Sequence, residues 1–396
     1  MTMKKILLSL TCALVIGASL QAATVNYFIR GEGYWMNKGE TPPSGTADIF
    51  NLTGTGSPDG SHPEDSAVGT DRIIQWNGTP LGTVTVTANM IIRRFYTTMV
   101  GTAGVTNMTL ASGSSLTMRD FIVAPASTRN STFSMVVLTG STLVTSNSMQ
   151  MGSTHASSVY GGVTTITQVG GIVRIVSTMN NSNGGLYLTN AAGGAGGTGN
   201  YYLQGGELHV YNSHSSTSNT AGIRIGSNGG TANFVWSGGL LNAQYTQISL
   251  SNTGSGNLSA GGNGAIATMH TSGSSLIYTQ GVDAMMTIDI KDAAEYDKVI
   301  WAGGAANFAD GTTISLNLID DDPTIFTIGQ TFDIFTADTI TAGTFTLDGT
   351  YAAYFSADII GGNTLQLTYN GIPEPAVSAG LLGALALAFV ARRRRV

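Results

Sequence analysis

The most suggestive pair of residues for chemistry in this chain is Glu207 and His209. Two positions apart on a strand, they share a face, so a carboxylate and an imidazole would stand side by side as general acid and base. A polysaccharide lyase or glycosidase on a β-helix would use such groups, together with further carboxylates or basic residues on that face. Glu207 is the only acid between Phe121 and Val282, where the other charges are Arg129, Arg174 and Arg224. His155 and His214 complete the candidates. This sparse set reads as a solvated polar face, and the chain is expected not to be an enzyme. Two ligands alone make a poor metal site, so neither a metal nor another cofactor is expected.

Other groups point the same way. Asp320, Asp321 and Asp322 precede Pro323 without the alternating spacing of a calcium loop, so a turn is expected. Asp283, Asp289, Asp292, Glu295 and Asp297 form a looser acidic cluster, expected to be solvated edge charges that discourage end-to-end association. The glycine run Gly193–Gly199 lacks the Lys and following helix of a phosphate-binding loop. Tyr201, Tyr202, Trp236 and Tyr245 have rings that could stack on sugars.

The elements that must position these residues repeat. Gly113, Gly140, Gly170, Gly205, Gly238 and Gly273 are each followed by Gly or Ser, any residue, then Leu or Val, at spacings of 27, 30, 35, 33 and 35. Mostly apolar residues stand four before each glycine and three and five after it, an even spacing on each side, which is the period of a strand. Each unit reads as strand, glycine corner, strand, then a variable loop and often a third short strand such as Gly222–Gly226 or Gln247–Leu250. Like residues at like positions suit stacked coils better than a sandwich of hairpins. The expected fold is all-β, with a right-handed parallel β-solenoid (β-helix) body. Coils ~4.8 Å apart would place Leu116, Leu143, Val173, Leu208, Leu241 and Leu276 in one inward ladder about 24 Å long. The corner glycines would supply positive φ or a close approach between coils.

The ends carry targeting signals. Lys4 and Lys5, an apolar run from Ile6 to Leu20 and the small residues Ala22 and Ala23 form a signal peptide, with cleavage expected after Ala22 or Ala23. The one Cys, Cys12, lies within that run, so the mature chain has no thiol chemistry. At the other end, Ile372-Pro373-Glu374-Pro375 precedes uncharged residues 376 to 391 and then Arg392, Arg393, Arg394 and Arg395. This reads as a single transmembrane helix whose arginines are held on the cytoplasmic side. The two prolines keep the preceding segment extended and stop the helix from propagating upstream.

Residues 372 to 396 resemble the PEP-CTERM sorting signal of Gram-negative bacteria. The resemblance implies that Pro373, Glu374 and Pro375 are recognised by exosortase, a membrane-embedded protease or transpeptidase. It also implies that Arg392 to Arg395 retain the tail in the membrane until it is processed. The repeat units are similar to the autotransporter-associated β-strand repeats of bacterial surface proteins, although no C-terminal barrel follows. Tyr296 through Phe345 looks like the closing module common after such repeats.

The 396 residues include 17 basic and 23 acidic ones. Without Lys4, Lys5 and Arg392 to Arg395 the body keeps 11 basic residues, and without Glu374 it keeps 22 acidic ones, a net charge near −11. That disfavours nucleic acid and anionic membranes as partners. The expected organisation is a signal peptide over 1–22, an N-terminal cap over 23–83, solenoid repeats over 84–295, a C-terminal β cap over 296–371 and the sorting segment over 372–396. The expected role is that of an exported protein of the cell surface or extracellular matrix, processed by exosortase and associated with extracellular polysaccharide or adhesion. A polysaccharide-active β-helix enzyme is the alternative.

Overall fold

The computed structural model describes strand segments 24–29, 33–35, 50–51 and 71–77. From 82 to 371 it describes all residues except 88, 93, 100–104, 126–131, 153–161, 178–184, 190–196, 213–221, 227–229, 245–246, 251–254, 263, 273–275 and 282–283. Ala22, Ala23, Pro373, Glu374, Pro375 and Arg392 to Arg395 lie outside the described residues. Among the described residues no helix is long and apolar enough to cross a membrane.

The described chain is all-β, with long parallel sheets that fit a β-solenoid. One turn shows how the sequence winds. Thr198–Leu203 runs along a first face, residues 204–206 turn a corner, Glu207–Asn212 runs along a second face and Gly222–Ile225 along a third. The next strand, Thr231–Trp236, returns to the first face and pairs in parallel with Thr198–Leu203. Register is kept on all three faces: Tyr201 meets Phe234, Leu208 meets Leu241 and Ile223 meets Ile248. The first face is one sheet of 11 strands, and the second and third faces together make one of 19.

Alternation drives this winding. Thr132–Val137, Val163–Gln168 and Thr198–Leu203 each alternate half-buried and buried residues, turning residues such as Ser134, Thr165 and Asn200 outward and Phe133, Met135, Ile166 and Tyr201 into the core. Because the coils are in register, each inward position forms a ladder. On the second face Leu116, Leu143, Val173, Leu208 and Leu241 are neighbours in that order and fully buried. Each such side chain contributes roughly 1.5–3 kcal/mol of transfer free energy. The third face stacks Phe95 on Phe121 at 5.1 Å between ring centroids, with the planes 12° apart. Two buried glutamines complete corners of the core. Gln168 accepts from the Tyr201 hydroxyl at 2.7 Å and donates to the Glu207 carbonyl at 3.0 Å. Gln280 accepts from Tyr278 at 2.9 Å and donates to the Ala284 and Thr313 carbonyls.

The sixth expected rung does not follow. Leu241 is succeeded by Thr271, which is buried, and then by Trp301. Leu276 and Tyr278 lie on the third face instead, where Tyr278 is in register with Ile248 and Ala306. The reason is the position of Gly273, which falls between the second-face strand Thr268–Ser272 and the third-face strand Leu276–Gln280 rather than before the second face.

A second difference lies in corner length. The corners at 111–114 and 138–141 have four residues and are closed by Ser114 N–H to the Ala111 carbonyl and Ser141 N–H to the Leu138 carbonyl, both at 3.1 Å. Those at 169–171, 204–206 and 237–239 have three. The extra residue moves the inward positions, so Met108 and Met135 are buried where the repeat alignment placed Thr109 and Val136.

Parallel stacking also extends beyond 84–295. Thr24–Ile29 pairs with Asp71–Asn77, which pairs with Arg94–Met99. At the other end Lys298–Phe308, Thr312–Leu318, Thr331–Ala342 and Phe345–Asp348 continue the coils. The edge of residues 331–336 in Thr331–Ala342 is covered by Thr364–Tyr369, which runs antiparallel to it and forms a hairpin with Phe355–Ile360.

Candidate functional site

The second-face strand Glu207–Asn212 turns Leu208 and Val210 into the core, so Glu207, His209 and Tyr211 all project outward. Its corner is set by Gly206, whose φ is 75°. The three side chains form a line of hydrogen bonds. His209 Nε2 lies 2.6 Å from Glu207 Oε2, and His209 Nδ1 lies 2.7 Å from the Tyr211 hydroxyl. Glu207 keeps 45% of its side chain exposed while His209 keeps 9%, so the imidazole is enclosed and the carboxylate meets solvent.

With Glu207 ionised, Nε2 carries the proton and Nδ1 accepts from the Tyr211 O–H. A carboxylate that orients an imidazole, which in turn polarises a hydroxyl, is the arrangement of a general-base relay. The line lacks the second acid that glycoside hydrolysis requires. Among the described residues no group of three His, Cys, Asp or Glu could hold a metal ion.

Of the other candidates, Arg174 is in register beside His209 on the preceding strand and is exposed. Arg224 is on the third face, its guanidinium 5.1 Å from the centre of the Tyr187 ring. His155 and His214 lie outside the described residues. Tyr201 and Trp236 are buried in the core, Tyr201 stacked on Phe234 at 5.6 Å, so neither can meet a sugar. Tyr202 projects outward and is half-buried. Tyr245 lies outside the described residues. Tyr211 was not among the sequence candidates, although the period-2 spacing from Glu207 and His209 already placed it on their face.

Two buried acidic centres have structural roles. Asp120 is 2% exposed and accepts from Arg94 at 3.2 Å and from Arg119 at 3.0 Å. It also accepts from Asn147 one coil on. Asp289 and Asp297, expected as solvated edge charges, are fully buried. Asp297 accepts from the backbone N–H groups of Ala267 at 2.8 Å and Asp289 at 2.9 Å. Asp289 accepts from Gly264 N–H and the Asn317 amide, both at 2.8 Å. The two carboxylates therefore fasten segment 264–267, whose donors no strand satisfies. Burial pushes the Asp297 carboxyl up to about 7, against the pull of its two backbone donors and with a smaller push from Asp289. Burial raises Asp289 as well. Asp292, by contrast, is only half-buried and accepts from Ala294 and Glu295 N–H. The Asp322 carboxylate accepts from Thr324 N–H at 2.9 Å, closing the expected turn.

Compared with known proteins, the chain matches no family model and no curated protein.

Proposed function

We propose that this chain is an exported, non-enzymatic protein of the cell surface or extracellular matrix, sorted by exosortase through a PEP-CTERM tail and associated with exopolysaccharide or adhesion. The observation that carries this reading is the conjunction at the C-terminus: Pro373-Glu374-Pro375, an uncharged run and Arg392 to Arg395 as a cytoplasmic stop. The lysines, apolar run and alanines at the N-terminus support export. The long parallel sheets suit a right-handed β-solenoid, the hand that parallel crossover connections favour. Such a body is a rod-like spacer whose stacked coils present extended surfaces. The antiparallel hairpin ending at Tyr369 supports a closing role for residues 296–371.

Intact mass and cell fractionation test the reading. Loss of residues 1–22 and of everything beyond Pro373-Glu374-Pro375, with the product outside the inner membrane, is the expected result. A full-length tail retained in the inner membrane would overturn it. The line from Glu207 through His209 to Tyr211 favours a second reading, a polysaccharide-active β-helix enzyme. That reading requires a lyase or hydrolase activity abolished by alanine at Glu207 and His209, whereas a scaffold is unaffected by both changes.

A further inference from the structure

The first face is a regular surface. Six of its strands, Val105–Leu110, Thr132–Val137, Val163–Gln168, Thr198–Leu203, Thr231–Trp236 and Ser255–Ala260, pair consecutively without a register shift. One outward position on each builds the row Asn107, Ser134, Thr165, Asn200, Asn233 and Asn257. At ~4.8 Å per step this row is about 24 Å long. Its side chains are tied to one another: Asn233 donates its amide to Asn200 at 2.8 Å, and Asn200 donates to the Thr165 hydroxyl at 3.3 Å. These bonds fix the Asn200 and Asn233 amides and use only one N–H and one lone pair of Asn200, while Asn257 accepts from Thr287 on the next coil at 2.9 Å. A primary amide has two of each, so the second set stays open to a ligand.

The rows on either side are likewise uncharged and mix hydroxyl residues with valines. Two positions ahead stand Thr132, Thr198 and Thr231 with Val105 and Val163 among them, and two positions after stand Thr109, Thr167 and Tyr202 with Val136 and Val235. No Asp, Glu, Lys or Arg occupies any outward register position of these six strands. The second face, one corner away, carries Arg174 and Glu207 at its outward positions.

We propose that this face is a docking surface for an uncharged polysaccharide lying along the stacking axis. The proposal rests on the matrix reading above and narrows it. Charge complementarity selects the partner, because an anionic or uronate polymer finds no cation here while a neutral one leaves no charge unpaired. The fixed row of amides and hydroxyls matches the hydroxyl groups of a glycan, which are both donors and acceptors. Tyr202 supplies an outward ring beside the row for a sugar face. Because the rows are ordered in advance by the coils, binding orders few side chains.

The test is co-sedimentation of the purified full chain with insoluble cellulose and cross-linked dextran as neutral polymers, and with calcium alginate gel as the anionic one. Retention by at least one neutral polymer and not by alginate is expected. It should fall at least tenfold in the double variant Asn200→Asp/Asn233→Asp and in the milder Tyr202→Ala. Arg174→Ala on the second face should bind as the parent does. Circular dichroism and the thermal midpoint of each variant show whether it is folded, and Tyr202→Ala keeps the test open should the double variant unfold. Absence of binding to both neutral polymers, retention by alginate alone, or equal retention of the folded variants would each overturn the proposal. Sedimentation velocity separates a further outcome: self-association abolished by the same variants would assign the face to a second copy of this chain and overturn the glycan proposal. None of these results depends on tail processing, which intact mass reads separately.

Discussion

At the scale of single residues, buried carboxylates fasten this protein where strand pairing cannot. Asp120 gathers Arg94, Arg119 and Asn147 from three successive coils. Asp120→Ala leaves the Asn147 amide buried without its acceptor and two cations without a counter-charge, and should cost about 3 kcal/mol, read from the urea midpoint. The Asp297 carboxyl behaves differently because its folded value is raised to about 7, above the ~4 of an unfolded Asp. The folded state therefore holds a proton over that range that the unfolded state has released. The resulting stabilisation is present below about pH 4 and is lost as pH rises towards 7. In Asp297→Asn this contribution is absent, so the difference in thermal midpoint between parent and variant should shrink steadily from pH 4 to 7. A difference independent of pH would show that Asp297 titrates normally. None of this was legible in the sequence. Asp289 and Asp297 sit in sequence among more accessible charges such as Asp292 and Glu295, and only the winding of the coils turns the N–H groups of Gly264 and Ala267 towards them. Arg119 is the sequence neighbour of Asp120, but its other two partners, Arg94 and Asn147, are 26 and 27 residues away. Glu207 and His209 were legible because a strand has period 2, and Tyr211 obeys the same period.

At the scale of elements, the corners set the register of everything else. Gly171 has φ of 69°, and a Cβ there would lie 2.6 Å from the carbonyl oxygens of both Leu138 and Ser141 on the coil beneath. Positive φ alone costs a residue with a side chain roughly 1–2 kcal/mol, and the approach to two fixed carbonyls adds to it. Gly171→Ala should therefore lower the thermal midpoint clearly. The same substitution at Gly113, where a Cβ would meet nothing within 4 Å, should carry the backbone cost alone. Equal losses at the two sites would mean that the close approach of the coils is unimportant. The repeat was legible because these glycines recur with apolar residues at fixed offsets. Corner length was not, because the Gly-Ser and Gly-Gly forms look interchangeable in sequence, yet one has four residues and the other three. The misplacement of Leu276 has the same origin, since the glycine motif at Gly273 stands in sequence between a second-face and a third-face strand rather than before the second face.

At the scale of the whole molecule, a stack of parallel coils has the weakness that its last strand offers unpaired N–H and C=O groups to any other chain. Here residues 331–336 of the strand Thr331–Ala342 are covered by Thr364–Tyr369, which runs antiparallel to them and so cannot continue the coil. Leu365 and Leu367 of that strand are fully buried, while Phe355 and Tyr369 pack edge to face with ring centres 5.3 Å apart. The cover is thus held by its own apolar cluster with Phe326 and Phe332 as well as by backbone bonds. Leu367→Asp places a charge in that cluster, and a buried unpaired carboxylate costs several kcal/mol locally. The coils further back keep their own ladders, because each turn is held mainly by its neighbours. The expected result is a protein that retains its strand signal by circular dichroism but associates end to end, seen as a concentration-dependent increase in sedimentation coefficient. A variant that stays monomeric with its coils intact would show that the antiparallel hairpin is not what keeps the stack finite.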